Sequence, residues 1–460
     1  MVLFGIRKVI QSLCCHVFNG DTLEVRSPLW DREGLGITEE IHKTHGLKGS
    51  LELPDWPPLT LPEVGAVLRR FPQAGGAVRL LSFSPRPFSA ASMVATPFGK
   101  VFVKRHHCAV RDREGLQEEH RFIAHLAASL NGSMSKLSGE VDGLDAGSNL
   151  VQPVFADLEG NTAIAVGDWI YEVHPLAIGV DLYEQALSWT PFLGSSHARA
   201  AGMALARIHR AAENYDAPAR KTQQLVTSFS IFAGGDPLEQ MDAYLKKRPL
   251  LREYVEQRDW RGSFDDLMLP LFANLAPWLS GLRPLWTHND FHASNLTWSE
   301  PIEAPEIGET HSRVLGVIDF GLADRTNLVH DIATAIERNI VEWLRMEDSE
   351  ADIVHLDHLD ALLAGYEELS PLSHEEARAL VAMLPLVHCE FALSETDYFL
   401  SVLRSEDKAY LAYEGYFLAH SRWFHSLEGR RLLAHLAQWA EDKSRIRSRA
   451  EVAENCETRP

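Results

Sequence analysis

Between Leu285 and Ala335 the chain alternates short apolar runs with polar ends. One run opens into His288-Asn289-Asp290-Phe291-His292-Ala293-Ser294-Asn295; a second, Val314-Leu315-Gly316-Val317-Ile318, ends in Asp319-Phe320-Gly321. The pattern reads as a loop, a strand, a turn and a second strand, with Asp290, Asn295 and Asp319 at the ends of the pieces. Three oxygen-bearing side chains so placed suit Mg²⁺, a hard cation that takes few protein oxygens and completes its shell with water and phosphate. The set leaves one carboxylate, Asp290, free to accept a proton from a hydroxyl.

The spacing H-x-D-x-x-x-x-N followed by I-D-F-G resembles the catalytic core of the aminoglycoside phosphotransferase and choline kinase group, relatives of the protein kinases. The resemblance implies an α+β, bilobal protein-kinase-like fold, with a small β-rich N-lobe and a large helical C-lobe. It implies that Asp290 is the catalytic base, that Asn295 and Asp319 bind Mg²⁺, and that His288 braces the loop. Where the group usually has Gly after this histidine, the chain has Asn289, a residue that tolerates unusual backbone angles better than most.

Other features bound the answer. The net charge of −20 argues against nucleic acid as a partner, because phosphates demand a basic surface. Apolar residues make up 45% of the 460 residues, enough for a sizeable core. Five scattered cysteines form no CxxC pair and no disulfide framework, which favours a reducing compartment. No long uninterrupted apolar run is present, and Arg7 and Lys8 break the weakly signal-like start. The expectation is a cytoplasmic protein without a membrane partner.

In chain order, residues 1–58 read as an N-terminal extension, with an amphipathic helix over 3–18. The N-lobe spans 59–170. A helix starts at Thr60, which has capping-box spacing to Glu63. Strands follow at Ala77–Phe83, Ala91–Ala95 and Lys100–Lys104, then a helix from Gly115 to Leu126. Residues 131–149 read as a loop, with strands at Leu150–Phe155, Thr162–Val166 and Trp169–Val173. Lys104 closes an apolar strand, and Glu119 shares the inward face of the helix with Phe122, Ile123 and Leu126. The resemblance makes Lys104 and Glu119 the phosphate-binding ion pair. The segment Ser84–Ser92 has no glycine, so small residues from Ser89 to Ser92 are the expected phosphate loop. The resemblance also places the interlobe hinge at Glu172 and Val173, whose backbone would bind adenine.

The C-lobe spans 171–445 and ends in a frayed tail, 446–460. A helix over 195–215 carries His209, read as a packed residue, and two helical stretches follow at 237–257 and 264–280. The acidic insert 299–312 is a solvent hairpin. Asp331 resembles the D-L-A helix start of the group, and supports the site. No activation segment follows Asp319, which disfavours a protein substrate. Residues 350–445 are helical, and Glu390, Ser394 and Asp397 form a polar stripe beside an aromatic-rich segment, in the region where the resemblance puts the acceptor.

These readings converge on an ATP- and Mg²⁺-dependent phosphotransferase acting on a small-molecule hydroxyl, such as that of an aminoglycoside, amino sugar or amino-alcohol. Two alternatives stand beside it: a non-catalytic nucleotide-binding module, and a metal-dependent hydrolase using His288, Asp290, His292, Asp319 and His330 as zinc ligands.

Overall fold

The computed structural model describes residues 44–45, 51–84, 86–134, 150–222, 224–304, 309–346 and 352–457. The helix expected over 3–18, most of the 1–58 extension, the loop residues 135–149 and residues 305–308 of the acidic insert lie outside the described residues.

Helix α1 (Leu61–Leu68) begins after Thr60, whose backbone N–H donates to the Glu63 carboxylate at 3.2 Å. Five antiparallel strands form one sheet: β1 (Arg79–Phe83), β2 (Ala90–Thr96), β3 (Gly99–His107), β4 (Ile164–Val166) and β5 (Trp169–Pro175). Their spatial order is β1-β2-β3-β5-β4. Helix α2 (Arg113–Met134) follows β3 and runs into the stretch expected as loop. Leu150–Phe155 is not a strand. β3 and β4 already occupy the edges of β5, so this segment makes single bonds only, such as Phe155 N–H to Val173 O at 2.9 Å.

Alternation along the strands sorts the two sheet faces. Val101, Val103, Tyr171 and Val173 point to α1 and pack with Val64, Val67 and Leu68. Lys104 stands directly opposite Glu172 in the β3–β5 register, so both belong to the other face.

In the C-lobe, α3 (Ser195–Ala212) is followed by α4 (Pro237–Lys246), α5 (Pro249–Glu256), α6 (Trp260–Leu267) and α7 (Leu269–Leu275). The two long helices expected here are broken because Pro249 and Pro270 lack the N–H that a helix interior needs, and each opens a new helix instead. Two small antiparallel pairs carry the polar loops: β6 (Pro284–Thr287) with β9 (Asp324–Asn327), and β7 (Leu296–Trp298) with β8 (Val314–Val317). Helices α8 (Leu328–Ile340), α9 (Leu356–Leu369), α10 (His374–Met383) and α11 (Val387–Ser401) complete the core. The stretch His374–Ser401 has the length and hydropathy of a membrane span, but 89% of its apolar window is buried in the fold, as in a core helix. A last helix, Leu427–Glu457, continues through residues expected to fray.

α3 and α9 cross at two glycines. A Cβ on Gly202 would lie 2.0 Å from Leu362 O, and one on Gly365 would lie 2.1 Å from Arg199 O. Backbone cannot yield as a side-chain tip can, so Gly202→Ala is expected to cost about 1–3 kcal/mol or more. Thermal unfolding checks this; an unchanged Tm would mean that the crossing is looser than described.

Candidate active site

The loop after β6 is held from below by Asp331, in the first turn of α8. Its carboxylate accepts the backbone N–H of His288 at 3.0 Å, that of Asn289 at 2.7 Å and Nε2–H of His209 at 2.9 Å. His209 is held in turn by the Tyr366 hydroxyl at 2.8 Å, so it is a packed residue of α3. His288 accepts the Asp290 N–H on Nδ1 at 3.2 Å, and its Nε2–H donates to Ile318 O at 3.0 Å. One imidazole thereby spaces the two acid-bearing segments.

Asn289 has φ of 59°, the left-handed region that Gly or Asn enters most readily. The side chain is also used: Oδ1 accepts from Thr287 Oγ1 at 2.9 Å and Thr326 Oγ1 at 3.2 Å, and Nδ2 donates to Leu322 O at 3.2 Å. Gly would supply the angle but none of these bonds. Asp319 also has positive φ, 58°. Strain of this kind persists where surrounding contacts over-determine it. Here the following Phe320 packs on His288, with centroids 4.6 Å apart, and on Phe122 of α2, at 6.0 Å.

Asp290 is engaged on both oxygens: Oδ1 meets Arg338 Nη1 at 2.9 Å, and Oδ2 accepts from Asn295 Nδ2 at 3.1 Å. Burial would raise its pKa, but Arg338 and His292 outweigh that and hold the carboxyl below its ordinary value. Lys104 Nζ crosses the cleft to Asp319 Oδ1 at 2.8 Å. Burial opposes the Lys104 charge, yet Asp319, Glu172 and Glu119 together raise its pKa. Burial acts against Asp319 as well, and Lys104 more than offsets it.

The expected Lys104–Glu119 pair does not form. Glu119 meets Arg220 Nη2 at 3.3 Å instead. Arg220 also donates to Gly115 O, Gly321 O and Ala323 O, so one guanidinium ties α2 to the segment after Asp319. Arg111, its pKa lowered by burial to about 10, adds a bond to Gly321 O at 3.0 Å.

Glu172 and Val173 lie inside β5, which extends to Pro175 and pairs with β3, and Val173 O accepts the Phe155 N–H at 2.9 Å. The Glu172 side chain is buried among His106, His120 and His174. Ser92 lies inside β2, paired with Phe83 of β1 and Val103 of β3, so its backbone belongs to the sheet and not to an open phosphate loop, and its hydroxyl donates to Ser82 O at 2.5 Å. Ser89 lies in the loop before β2. In the same loop Arg86, a residue that sequence reasoning passed over, donates to Ser188 Oγ at 2.7 Å and to Ser294 Oγ at 2.8 Å, across the catalytic loop.

The stripe expected to bind acceptor is structural. Glu390 accepts the backbone N–H groups of Ser228, Ser230 and Ile231. Ser394 accepts from Val226 N–H at 3.2 Å, and Asp397 from Gln224 Nε2 at 2.8 Å. These three residues of α11 fasten segment 224–231.

Different residues surround Asp290. Arg338 lies over the rings of Trp189, at 4.7 Å, and Phe391, at 4.9 Å. Tyr416 packs on Trp189 at 5.0 Å. Trp189 has φ of 63°, an outlier for a bulky residue. Arg338 Nε, Glu395 Oε2 and the Tyr416 hydroxyl are buried without hydrogen-bond partners. Burial raises the Glu395 carboxyl to about 8 despite Arg338 nearby. A signal for Arg338 existed: it lies two helical turns after Asp331 and shares its face. Trp189, Glu395 and Tyr416 carried no comparable signal.

The zinc-hydrolase arrangement is not present. His288 turns to Ile318 O, His292 to Ser294 Oγ at 2.9 Å, and His330 to Asn289 Oδ1 at 3.2 Å. These ring nitrogens do not converge.

Two lobes joined beside a lysine, two acids and an asparagine define a kinase-like phosphotransferase. Residues 89–372, more than half of the chain, match the phosphotransferase enzyme family, APH, and the chain belongs to that family. Similar solved structures include spectinomycin phosphotransferase APH(9)-Ia in complex with ADP and spectinomycin: 11% identity, 84% of this chain and 99% of that one covered, TM-score 0.45. An aminoglycoside phosphotransferase from Alicyclobacillus acidocaldarius shows 14% identity, 84% and 98% coverage and a TM-score of 0.40. The microcompartment-associated aminopropanol kinase shows 16% identity, 82% and 98% coverage and a TM-score of 0.42. No curated protein matches the chain.

Proposed function

We propose that the protein moves the γ-phosphate of ATP, with Mg²⁺, onto a hydroxyl of a compact acceptor bearing an amine, an amino-alcohol rather than a multi-ring aminoglycoside. The observation that carries this reading is the group of unpartnered buried atoms beside Asp290: Arg338 Nε, Glu395 Oε2 and the Tyr416 hydroxyl. Other buried polar atoms also lack partners, but these three converge beside one carboxylate of the catalytic loop, which supports a polar ligand there. Asp55, which bonds Tyr398 at 3.1 Å and Lys408 at 2.7 Å, adds a second acid near Glu395, and the rings of Trp189 and Phe391 flank Arg338, which suits an acceptor with a cationic amine.

Asp319 and Asn295 fit Mg²⁺ as oxygen donors. Asn295 commits its Nδ2 to Asp290, which leaves the amide oxygen for a cation. When bound, the ion neutralises phosphate charge. Lys104 adds a second positive charge on the nucleotide side. Asp290 receives the acceptor hydroxyl, and its lowered pKa keeps it ionised and makes it a weak base. Its main contribution is therefore to aim the oxygen, which suits a reaction carried mostly by positioning and electrostatics. Glu395 and Tyr416 take the amine.

The test is ADP release from Mg·ATP with a panel of short amino-alcohols, hydroxy amino acids and aminoglycosides. Release with the short amines, lost on chelation of Mg²⁺, is the expected result. Release only with multi-ring aminoglycosides, or with no acceptor at all, overturns it.

A pH dependence follows from Glu395, which faces Arg338, Asp55, Lys408, Tyr398 and Tyr416. Below about 8 the carboxyl is protonated and pairs poorly with an ammonium, so kcat/KM for an amine acceptor rises with pH and levels off above that value. Stability runs the other way. A raised folded pKa contributes stability that is complete below the ordinary value of 4.5 and is lost as pH rises through about 8. Glu395→Gln is therefore expected to raise Tm at alkaline pH while lowering kcat/KM about 10- to 100-fold and flattening the profile. A variant with the wild-type profile would remove Glu395 from the acceptor site.

A further inference from the structure

The face of the N-lobe sheet that carries Lys104 holds a second polar centre, distinct from the catalytic loop. Glu172 stands opposite Lys104 in the β3–β5 register. His106 on β3 and His174 on β5 are two residues further along, on the same face, and His120 arrives from α2. Nε2 of His106 lies 2.8 Å from Glu172 Oε1. Nε2 of His120 and Nε2 of His174 each lie 2.8 Å from Oε2. For His120, Glu172 and His174 the nearest ligand atoms all fall within 4.8 Å of one another. Glu172, His106 and His120 are buried, and His174 is a quarter exposed. The other ring nitrogen of His120, Nδ1, is buried without a partner, so the hydrogen bonding of this ring is all through Nε2.

Two imidazoles aimed at the same carboxylate oxygen, with a third on its neighbour, form a set of lone-pair donors from three separate elements. Two imidazole nitrogens and one carboxylate oxygen within that span, with a fourth position left for water, match the preference of Zn²⁺ for tetrahedral nitrogen- and oxygen-rich sites, and are poor ligands for Mg²⁺ or Ca²⁺. We propose that His120, Glu172 and His174 bind Zn²⁺ or a similar late first-row divalent ion, with His106 holding the other Glu172 oxygen. The ion would pin α2 to β5 beside Lys104. That fixes the helix against the sheet where Glu119, committed to Arg220, makes no bond to the strand lysine. The inference is independent of the acceptor and of phosphoryl transfer, because its readout is metal content.

The experiment uses the full chain, freed of any affinity tag and purified without chelator. Elemental analysis is expected to find about one equivalent of Zn²⁺. Protein stripped by chelator is then titrated with Co²⁺ in excess Mg²⁺, which occupies oxygen sites but not imidazoles. The ligand-field bands of four-coordinate Co²⁺ are expected in the wild type, and their loss in His120→Ala and Glu172→Gln. The bands should persist in His292→Ala, which tests the catalytic loop, and in His355→Ala, which removes one member of the more exposed His355, Asp357, His358 group. No Zn²⁺ uptake and no Co²⁺ bands in the wild type overturn the proposal and leave a carboxylate hydrogen-bonded by three histidines. Bands that survive in both His120→Ala and Glu172→Gln overturn it as well. If those variants do not fold, X-ray absorption on the wild type decides: a nitrogen-rich imidazole shell supports the site, and an oxygen-only shell overturns it.

Discussion

Asp290→Asn is expected to lower kcat by at least about 10²–10⁴-fold, the usual contribution of a positioned acid–base group, while affinity for Mg·ATP changes little. The nucleotide side of the site rests on Lys104 and Asp319, which pair with each other at 2.8 Å, whereas Asp290 pairs with Arg338 and Asn295. The substitution keeps the shape but removes the anion. One carboxylate oxygen faces Arg338 Nη1 and the other Asn295 Nδ2, both donors, so an amide at this position must present its own N–H₂ to one of them. Either the acceptor hydroxyl loses its orienting oxygen or Asn295 swings from its place. Both outcomes fall on kcat more than on nucleotide binding. Parallel measurement of turnover and of nucleotide affinity checks this, with Tm recorded because Arg338 loses its charge partner. Wild-type turnover in the variant would remove Asp290 from the chemistry.

Asp331→Ala is expected to destabilise the protein by about 3–5 kcal/mol. The side chain is fully buried and receives three donors: the N–H groups of His288 and Asn289, and Nε2–H of His209. Truncation orphans all three, at roughly 1–3 kcal/mol each before relaxation. Burial would raise the Asp331 pKa, but His209 and the loop N–H groups hold it below the ordinary value of 3.8. A lowered folded pKa contributes stability that is present above 3.8 and is lost as pH falls through the folded value. The wild type therefore loses this support only in strong acid, and the variant lacks it at every pH. Asp331→Asn, which keeps one acceptor, should fall between the two. Chemical denaturation measures the series; a loss under about 1 kcal/mol for Asp331→Ala would show that the loop is held by other means.

The sequence by itself determined the elements whose signal is local. The capping box of α1, the Thr96–Gly99 turn between β2 and β3, and the two polar loops after β6 and β8 lie close to their expected places, because each depends on neighbours a few residues apart. Asn289 belongs here too: its residue type tolerates the left-handed backbone, φ of 59°, that it adopts. Lys104 was legible as the close of an apolar strand, while its side of the sheet came from the β3–β5 register.

Only the tertiary structure decided which charges meet. Glu119 was legible as an inward-facing acid of α2, but its choice of Arg220 over Lys104 depends on a guanidinium 101 residues away that also clamps three carbonyls. Glu390, Ser394 and Asp397 were legible as a polar stripe. Whether it faced ligand or protein rested on where segment 224–231 runs. Arg338, Glu395 and Tyr416 come together beside Asp290 from two long helices and the segment after them. Glu172 gathers its three histidines from two strands and a helix. Periodicity specifies the face a side chain occupies, since that is fixed by backbone geometry within one element. It does not specify the partner across the interface, because that depends on how separate elements pack and on which buried group can offset the cost of desolvating another.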